Sequence, residues 1–261
     1  MILRELMSTK ASDTARFFGL QAEESMRWLS EKNITASSHP KALDLGCGFG
    51  FFGHALSKAG FATTFSDEVN FIHDSILRPY QFIQLDVCKD DFSRLGTYDL
   101  VVFSNVLEHL PDPEKILRNI PGLLNENGAF YLCWTNWLGP YGGHEYTPYH
   151  YLGSKAASWL FRVLPPKLLI DGKSAPHTLG KNLFPTYIGR TLRYLRTIDG
   201  IYIEDYVPRY YAEHRWIAHV PVLREFLAWN FAVLIRRCSR TAGRTTQRKT
   251  LKKPIASTSS S

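Results

Sequence analysis

Short apolar runs recur along the chain at regular intervals. Residues 42–45 (ALDL), 61–65 (FATTF), 81–85 (QFIQL), 98–104 (YDLVVFS) and 129–135 (AFYLCWT) each read as a strand. A helical stretch, 51–58, lies between the first and second. Another, 114–119, follows the fourth and is opened by Asp112 as N-cap and Pro113 at the first position. Strands alternating with helices predict an α/β domain with a mostly parallel sheet and helices on both faces. The fourth run is almost unbroken in its apolarity, as a central strand buried on both faces must be. Residues 67–80 are expected to hold a second helix or an irregular crossover. Upstream, Phe17, Leu20, Met26 and Leu29 recur at helical spacing and predict a packing helix over 17–31.

The alternation breaks after the fifth run. Residues 136–176 are rich in aromatics, Gly, Pro and His, and read as an insertion with one helix over 154–163. Residues 186–196 form a further helix, with Tyr187, Leu192 and Leu195 on or near its buried face. Residues 201–205 form a sixth strand. Residues 224–237 allow two readings: an amphipathic surface helix, or a last strand over 229–235. The apolar run Phe231, Ala232, Val233, Leu234, Ile235 favours the strand.

The chemistry concentrates at the first strand end. Gly46, Gly48 and Gly50 follow it directly, and glycine lets backbone turn sharply and approach a ligand. Asp67 ends the second strand, where an acid can accept from a ribose diol. Gly48, Gly50 and Gly53 also match G-x-G-x-x-G, the dinucleotide pattern. Against a dinucleotide, Asp44 sits within the first strand, where a carboxylate suits an ammonium better than a pyrophosphate. A further acid, Asp86, ends the third strand.

With Leu43-Asp44-Leu45-Gly46-Cys47-Gly48-Phe49-Gly50, Asp67, Asp86 and Asn105-Val106-Leu107-Glu108-His109-Leu110-Pro111-Asp112-Pro113 in this order, the chain resembles the class I S-adenosylmethionine (SAM) methyltransferases. The resemblance implies a Rossmann-like sheet of seven strands, the last one antiparallel between the fifth and sixth, and SAM as cofactor. It also implies site roles. Asp44 lies near the methionine ammonium. The backbone of Gly46, Gly48 and Gly50 passes beneath methionine and ribose. Asp67 takes the ribose hydroxyls, Asp86 the adenine amino group, with Val87 and Cys88 lining the adenine slot. Asn105 sits near the methionine end. Some quinone-type relatives bind a metal through Glu-x-x-Glu-His; here Asn105 stands at the first position, which puts that site in doubt. His109 is left with two roles, facing the acceptor or capping helix–sheet packing.

The stretch from Gly142 to Gly153, with Trp137-Leu138-Gly139-Pro140 before it, resembles a bacterial branch of these enzymes associated with cell-surface glycan and glycolipid synthesis. Methylating a sugar hydroxyl gains from a general base, and His is the usual choice. His144 is the first candidate, given freedom by Gly142 and Gly143; His150 is the second, or else a helix cap. His144, Glu145 and His150 could instead converge on a metal ion. They could also be an aromatic loop whose His residues satisfy carbonyls. The favoured reading has no metal.

The net charge of +7 changes the picture only at one end. From Arg236 onward there are eight basic residues and no acid, which leaves 23 basic against 24 acidic residues in the rest. The chain is read as one domain over residues 1–240 with 136–176 as acceptor-binding insertion. Residues 241–261 are read as a basic disordered tail, or one drawn to an anionic surface. The body is not basic, and no Asn/Asp-Pro-Pro-Tyr follows the fourth strand, so no nucleic acid is expected as partner. The expected partner is a small-molecule or glycan acceptor, with peripheral membrane contact through the tail as a further expectation. The four cysteines are scattered without a C-x-x-C pair. Neither a membrane-spanning run nor a signal peptide is read, so the cytoplasm is expected, with the inner membrane face as an option. The reading is SAM-dependent O-methylation of a small-molecule, sugar or lipid-linked glycan acceptor. The alternatives are methylation of a quinone or phenol, and a non-catalytic binding module of the same fold.

Overall fold

The computed structural model describes residues 2–9, 13–76, 80–164 and 177–238. The tail expectation for 241–261 lies outside the described residues, as does part of the insertion, 165–176. Two helices open the chain, α1 (Ile2–Thr9) and α2 (Thr14–Glu31). Asp13 caps α2 by accepting from the Arg16 amide at 2.9 Å. Then come β1 (Lys41–Leu45), α3 (Phe51–Lys58), β2 (Ala62–Asp67), β3 (Gln81–Gln84) and β4 (Tyr98–Ser104). Two short helices, α4 (Pro113–Leu117) and α5 (Ile120–Leu123), lead into β5 (Leu124–Thr135). The insertion carries α6 (Ser154–Val163), followed by α7 (Ile188–Leu195), β6 (Ile201–Pro208), α8 (Pro221–Leu227) and β7 (Asn230–Arg237).

The seven strands lie in the order β3-β2-β1-β4-β5-β7-β6. All neighbours are parallel except β7, which is antiparallel to both β5 and β6. The last apolar run is therefore the strand, and the surface-helix reading of 224–237 is set aside. It packs so because Phe231 to Ile235 are at most 1% exposed, a two-sided burial that a surface helix could not give. A short helix, α8, does precede it, carrying exposed Val222, Phe226 and Leu227.

Strand alternation sorts side chains into two cores. Leu43, Leu45, Val101, Phe103, Leu132 and Trp134 face α4, α5 and α7. Ala42, Leu100, Val102, Tyr131 and Cys133 face α2 and α3 through Trp28, Leu29, Phe52 and Leu56. Each fully buried Leu, Val or Phe of β4 contributes roughly 1.5–3 kcal/mol of transfer free energy. Asp44 falls on the α3 face by the same alternation, and it meets that helix at Gly53. A Cβ at Gly53 would run into the Phe65 ring, so glycine is what lets α3 lie this close to β2. The stretch between β2 and β3 is irregular over its described residues. Within the insertion, Trp137, Tyr146, Ala157, Leu179 and Leu183 form a small core of their own. Its last two members lie beyond residue 176, so the inserted unit runs further than the composition suggested. No helix among the described residues is long and apolar enough to cross a membrane.

Candidate active site

The site assembles at the carboxyl edge of β1, β2, β4 and β5. β1 ends in the glycine turn, whose Gly46, Gly48 and Gly50 all take left-handed φ of 68°, 51° and 79°. A residue with Cβ at such positions costs about 1–2 kcal/mol each. At Gly46 space adds to the constraint: a Cβ would stand 2.5 Å from the Val106 side chain. Asp67 at the tip of β2 holds this turn. Its Oδ2 accepts from the Gly48 amide at 2.7 Å and its Oδ1 from the Glu68 amide at 2.8 Å. Asp44 is 2% exposed, and its Oδ2 accepts from the Gly53 amide at 2.7 Å. Burial pushes its carboxyl up to about 7; the Gly53 hydrogen bond opposes this and the Asp67 charge adds to it.

Asp86 lies one strand further out, where the Leu85 amide donates to the Asp67 carbonyl at 2.9 Å. The Lys89 ammonium, 2.6 Å from its Oδ2, and the Cys88 amide, 2.8 Å from its Oδ1, hold its pKa below the usual carboxylate range. Each oxygen keeps a further lone pair. Above the turn, Phe18 of α2 stands 5.7 Å from Phe49 and stacks on Phe51 at 6.2 Å. The first long helix therefore does two things: Ala22, Trp28 and Leu29 pack on the sheet, while Phe18, toward its N-terminal end, packs on the glycine turn.

Asn105, at φ 56° after β4, is the hub of a buried polar network. Its Nδ2 donates to Gln21 Oε1 at 2.7 Å, and its Oδ1 accepts from Asn230 Nδ2 at 2.8 Å and from Arg209 Nη1 at 3.5 Å. Arg209 is 4% exposed and also donates to Ser25 Oγ and to the Gln21 carbonyl, both at 2.8 Å. Burial opposes its charge, but the Cys133 thiol, the Tyr131 and Tyr210 phenols and Glu108 outweigh that and raise its pKa. Glu108 is 1% exposed; its Oε1 accepts from the Thr135 amide at 3.0 Å. Sequence reasoning missed Arg209, Gln21 and Ser25. Only Pro208 and Tyr210-Tyr211 around the arginine hinted at burial, because the partners are 84 to 188 residues apart along the chain.

Four residues beyond Asn105, His109 meets His144 of the insertion, ring centroids 5.7 Å apart. His144 sits at φ 50°, a left-handed backbone that costs a residue with a side chain about 1–2 kcal/mol. The two glycines before it do not supply looseness, contrary to expectation. A Cβ at Gly142 would strike the Trp137 carbonyl and one at Gly143 the His150 ring, so both allow close packing instead. His150 is packed inside the insertion rather than beside His109. It is 0% exposed, edge-on to Trp137 at 5.2 Å, and burial lowers its pKa. It does not cap α6 either, whose N-cap is Gly153. Nor do His144, Glu145 and His150 converge. Glu145 instead faces His177, a residue the sequence reading left outside the insertion, with Oε1 2.9 Å from His177 Nδ1.

A family model described as a methyltransferase domain matches residues 4–162. A Mycobacterium tuberculosis protein named an uncharacterized methyltransferase is 30% identical over 234 residues, covering 85% of this chain and 88% of its own. Among solved structures, a SAM-dependent methyltransferase from Clostridium acetobutylicum aligns with TM-score 0.54 at 14% identity, over 84% of this chain and 91% of that one. One from Mesorhizobium loti aligns with TM-score 0.50 at 19% identity, over 80% and 97%. These last two likenesses concern the fold. The chain therefore belongs to the methyltransferase-domain family of SAM-dependent enzymes.

Proposed function

We propose that this enzyme moves the methyl group of SAM to a hydroxyl oxygen of a small polar acceptor, a sugar or lipid-linked glycan, held by the aromatic insertion. The observation that carries this is the meeting of His144, from the insertion, with His109, from the loop after β4. It brings polar groups of the inserted unit to the edge where the glycine turn lies.

The chain's own residues fit a nucleoside with a cationic amino-acid end. The left-handed glycines leave bare backbone at the turn, and at Gly48 the space a Cβ would take is open. Asp67 presents carboxylate lone pairs at the tip of β2 for a ribose diol. The buried Asp44 carboxylate suits the ammonium, and the Asn105 network with Arg209 suits the methionine carboxylate end. Asp86, with Val87 and Cys88, borders the adenine. SAM supplies an activated methyl on sulfonium. The protein holds donor and acceptor in line and excludes water between them. His109 and His144 face the acceptor hydroxyl, and the small core of Trp137, Tyr146, Ala157, Leu179 and Leu183 holds the insertion that carries His144 in place.

The test is product analysis. The purified enzyme, supplied with methyl-labelled SAM and a panel of glycolipid, free sugar and phenolic acceptors, is expected to label a sugar hydroxyl. Label on phenols alone would turn the reading to a quinone-type substrate. SAM binding with no labelled product on any acceptor would favour a non-catalytic module.

A further inference from the structure

One constellation has no part in holding the methyl donor. His109, His144 and His177 come from three separate segments, yet one ring nitrogen from each lies within 4.8 Å of the others. The His109 and His177 rings stack 5.1 Å apart, and His144 stands 4.7 Å from His177. We propose that these three imidazoles form a binding site for a divalent transition-metal ion, with zinc as the first choice, and that Glu145 orients one of its ligands.

The argument begins with the outer nitrogens. His109 Nδ1 is 2.7 Å from the Asn182 carbonyl, and His177 Nδ1 is 2.9 Å and 3.0 Å from the two Glu145 oxygens. Carbonyl and carboxylate oxygens only accept, so both Nδ1 atoms donate and the lone pairs fall on Nε2. His144 Nδ1 makes a longer approach, 3.5 Å, to the Gly142 carbonyl. A carboxylate on the outer nitrogen of a histidine is the usual support of a metal ligand, fixing the tautomer and raising its basicity. Three neutral nitrogens suit zinc, copper, iron or nickel over magnesium or calcium.

The segments are also pinned. The Phe184 amide donates to the Glu108 carbonyl at 2.8 Å, which ties the loop after His177 to the turn that carries His109. Tyr146 Oη donates to the His177 carbonyl at 3.1 Å. His144 takes its left-handed backbone in the same place. Tetrahedral zinc with bonds of about 2.0–2.1 Å wants nitrogens roughly 3.3 Å apart, so the rings need close by no more than about 1.5 Å. This set shares only His109 with the Glu-x-x-Glu-His arrangement. Asn105 belongs to the Arg209 network, and Glu108 is turned to the Thr135 amide.

Three protein ligands leave a fourth position for a small ligand. On the reading of the enzyme given above, that position takes the acceptor hydroxyl. Its proton then passes to solvent, the new oxygen–methyl bond forms as the sulfur–methyl bond breaks, and S-adenosylhomocysteine leaves. The metal site itself does not depend on that reading, and its test does not use turnover.

Full-length protein freed of metal by chelator is titrated with Zn2+ by calorimetry, and with Co2+ by visible absorption. One ion per chain is expected, with the Co2+ spectrum of a low-coordinate nitrogen site. His144→Ala and His177→Ala should each weaken Zn2+ binding by more than ~100-fold, and Glu145→Gln by ~10–100-fold. His73→Ala, a change at an exposed histidine outside the cluster, should bind as the parent does. Circular dichroism and melting on the same samples separate lost ligands from lost fold. Glu145→Gln keeps the side-chain volume and covers the case where an alanine variant does not fold. Zn2+ binding that is absent, or that is equal in parent, Glu145→Gln and the folded histidine variants, would overturn the site.

Discussion

Asp44→Asn separates the cost of a buried carboxylate from its use. The amide oxygen can still accept from the Gly53 amide, 2.7 Å away in the parent, so the packing of β1 on α3 is kept. What disappears is ionisation. In the folded parent the carboxyl rises from 3.8 to about 7, mainly through burial. The folded chain thus holds this proton more tightly than the unfolded one. Below about 3.8 both states are protonated and there is no penalty. As pH rises toward 7 only the unfolded chain releases the proton, so parent stability falls; above 7 the full penalty stands. At about 1.36 kcal/mol per pH unit, the penalty reaches roughly 4 kcal/mol. The Asn variant carries instead a pH-independent cost of about 1–3 kcal/mol for its buried NH2. Urea unfolding of both proteins between pH 4 and 8 should therefore give a stability difference that moves in favour of the variant by roughly 4 kcal/mol. Parallel profiles would refute the reasoning. The same carboxyl should ionise when the methionine ammonium arrives. SAM binding to the parent near neutral pH should then release a proton, seen as a binding enthalpy that depends on the buffer's ionisation enthalpy, and the variant should show no such dependence.

Gly46→Ala should destabilise the protein by roughly 2–4 kcal/mol, from the left-handed φ and the clash with Val106. Adding Val106→Ala should recover only the clash part, as denaturant midpoints will show. Arg209→Met should cost roughly 1–3 kcal/mol in unfolding assays, since acceptors on Ser25, Gln21 and Asn105 lose a charged donor. His144→Ala should lower turnover by at least ~10²-fold while calorimetric SAM affinity holds; full turnover would remove His144 from the acceptor side.

The sheet was legible because its strands are buried on both faces. Runs such as 98–104 match β4 (Tyr98–Ser104) to the residue, and the glycine turn announces α3 in the same way. The opening helix α1 and the helix α8 escaped, since neither has a long periodic face to read. The meeting of the glycine turn, Asp67 and Asp86 at one sheet edge was legible too, because these residues follow strand ends in order. The placing of the insertion's histidines was not. His150 and His144 look alike in the sequence, and only packing buries one against Trp137 and brings the other to His109. His177 carries no local signal at all; its partner Glu145 is 32 residues away.

The central claim is that the glycine turn and the acid at the end of β2 hold SAM. Calorimetric titration of SAM into the parent and into Asp67→Ala tests it most directly, with NADH as the rival ligand. The account predicts one SAM per parent chain, no comparable NADH binding, and a loss of roughly 1–3 kcal/mol of SAM binding free energy in the variant, the scale of hydrogen bonds to a charged group. Unchanged SAM affinity in Asp67→Ala, or NADH bound more tightly than SAM, would contradict it.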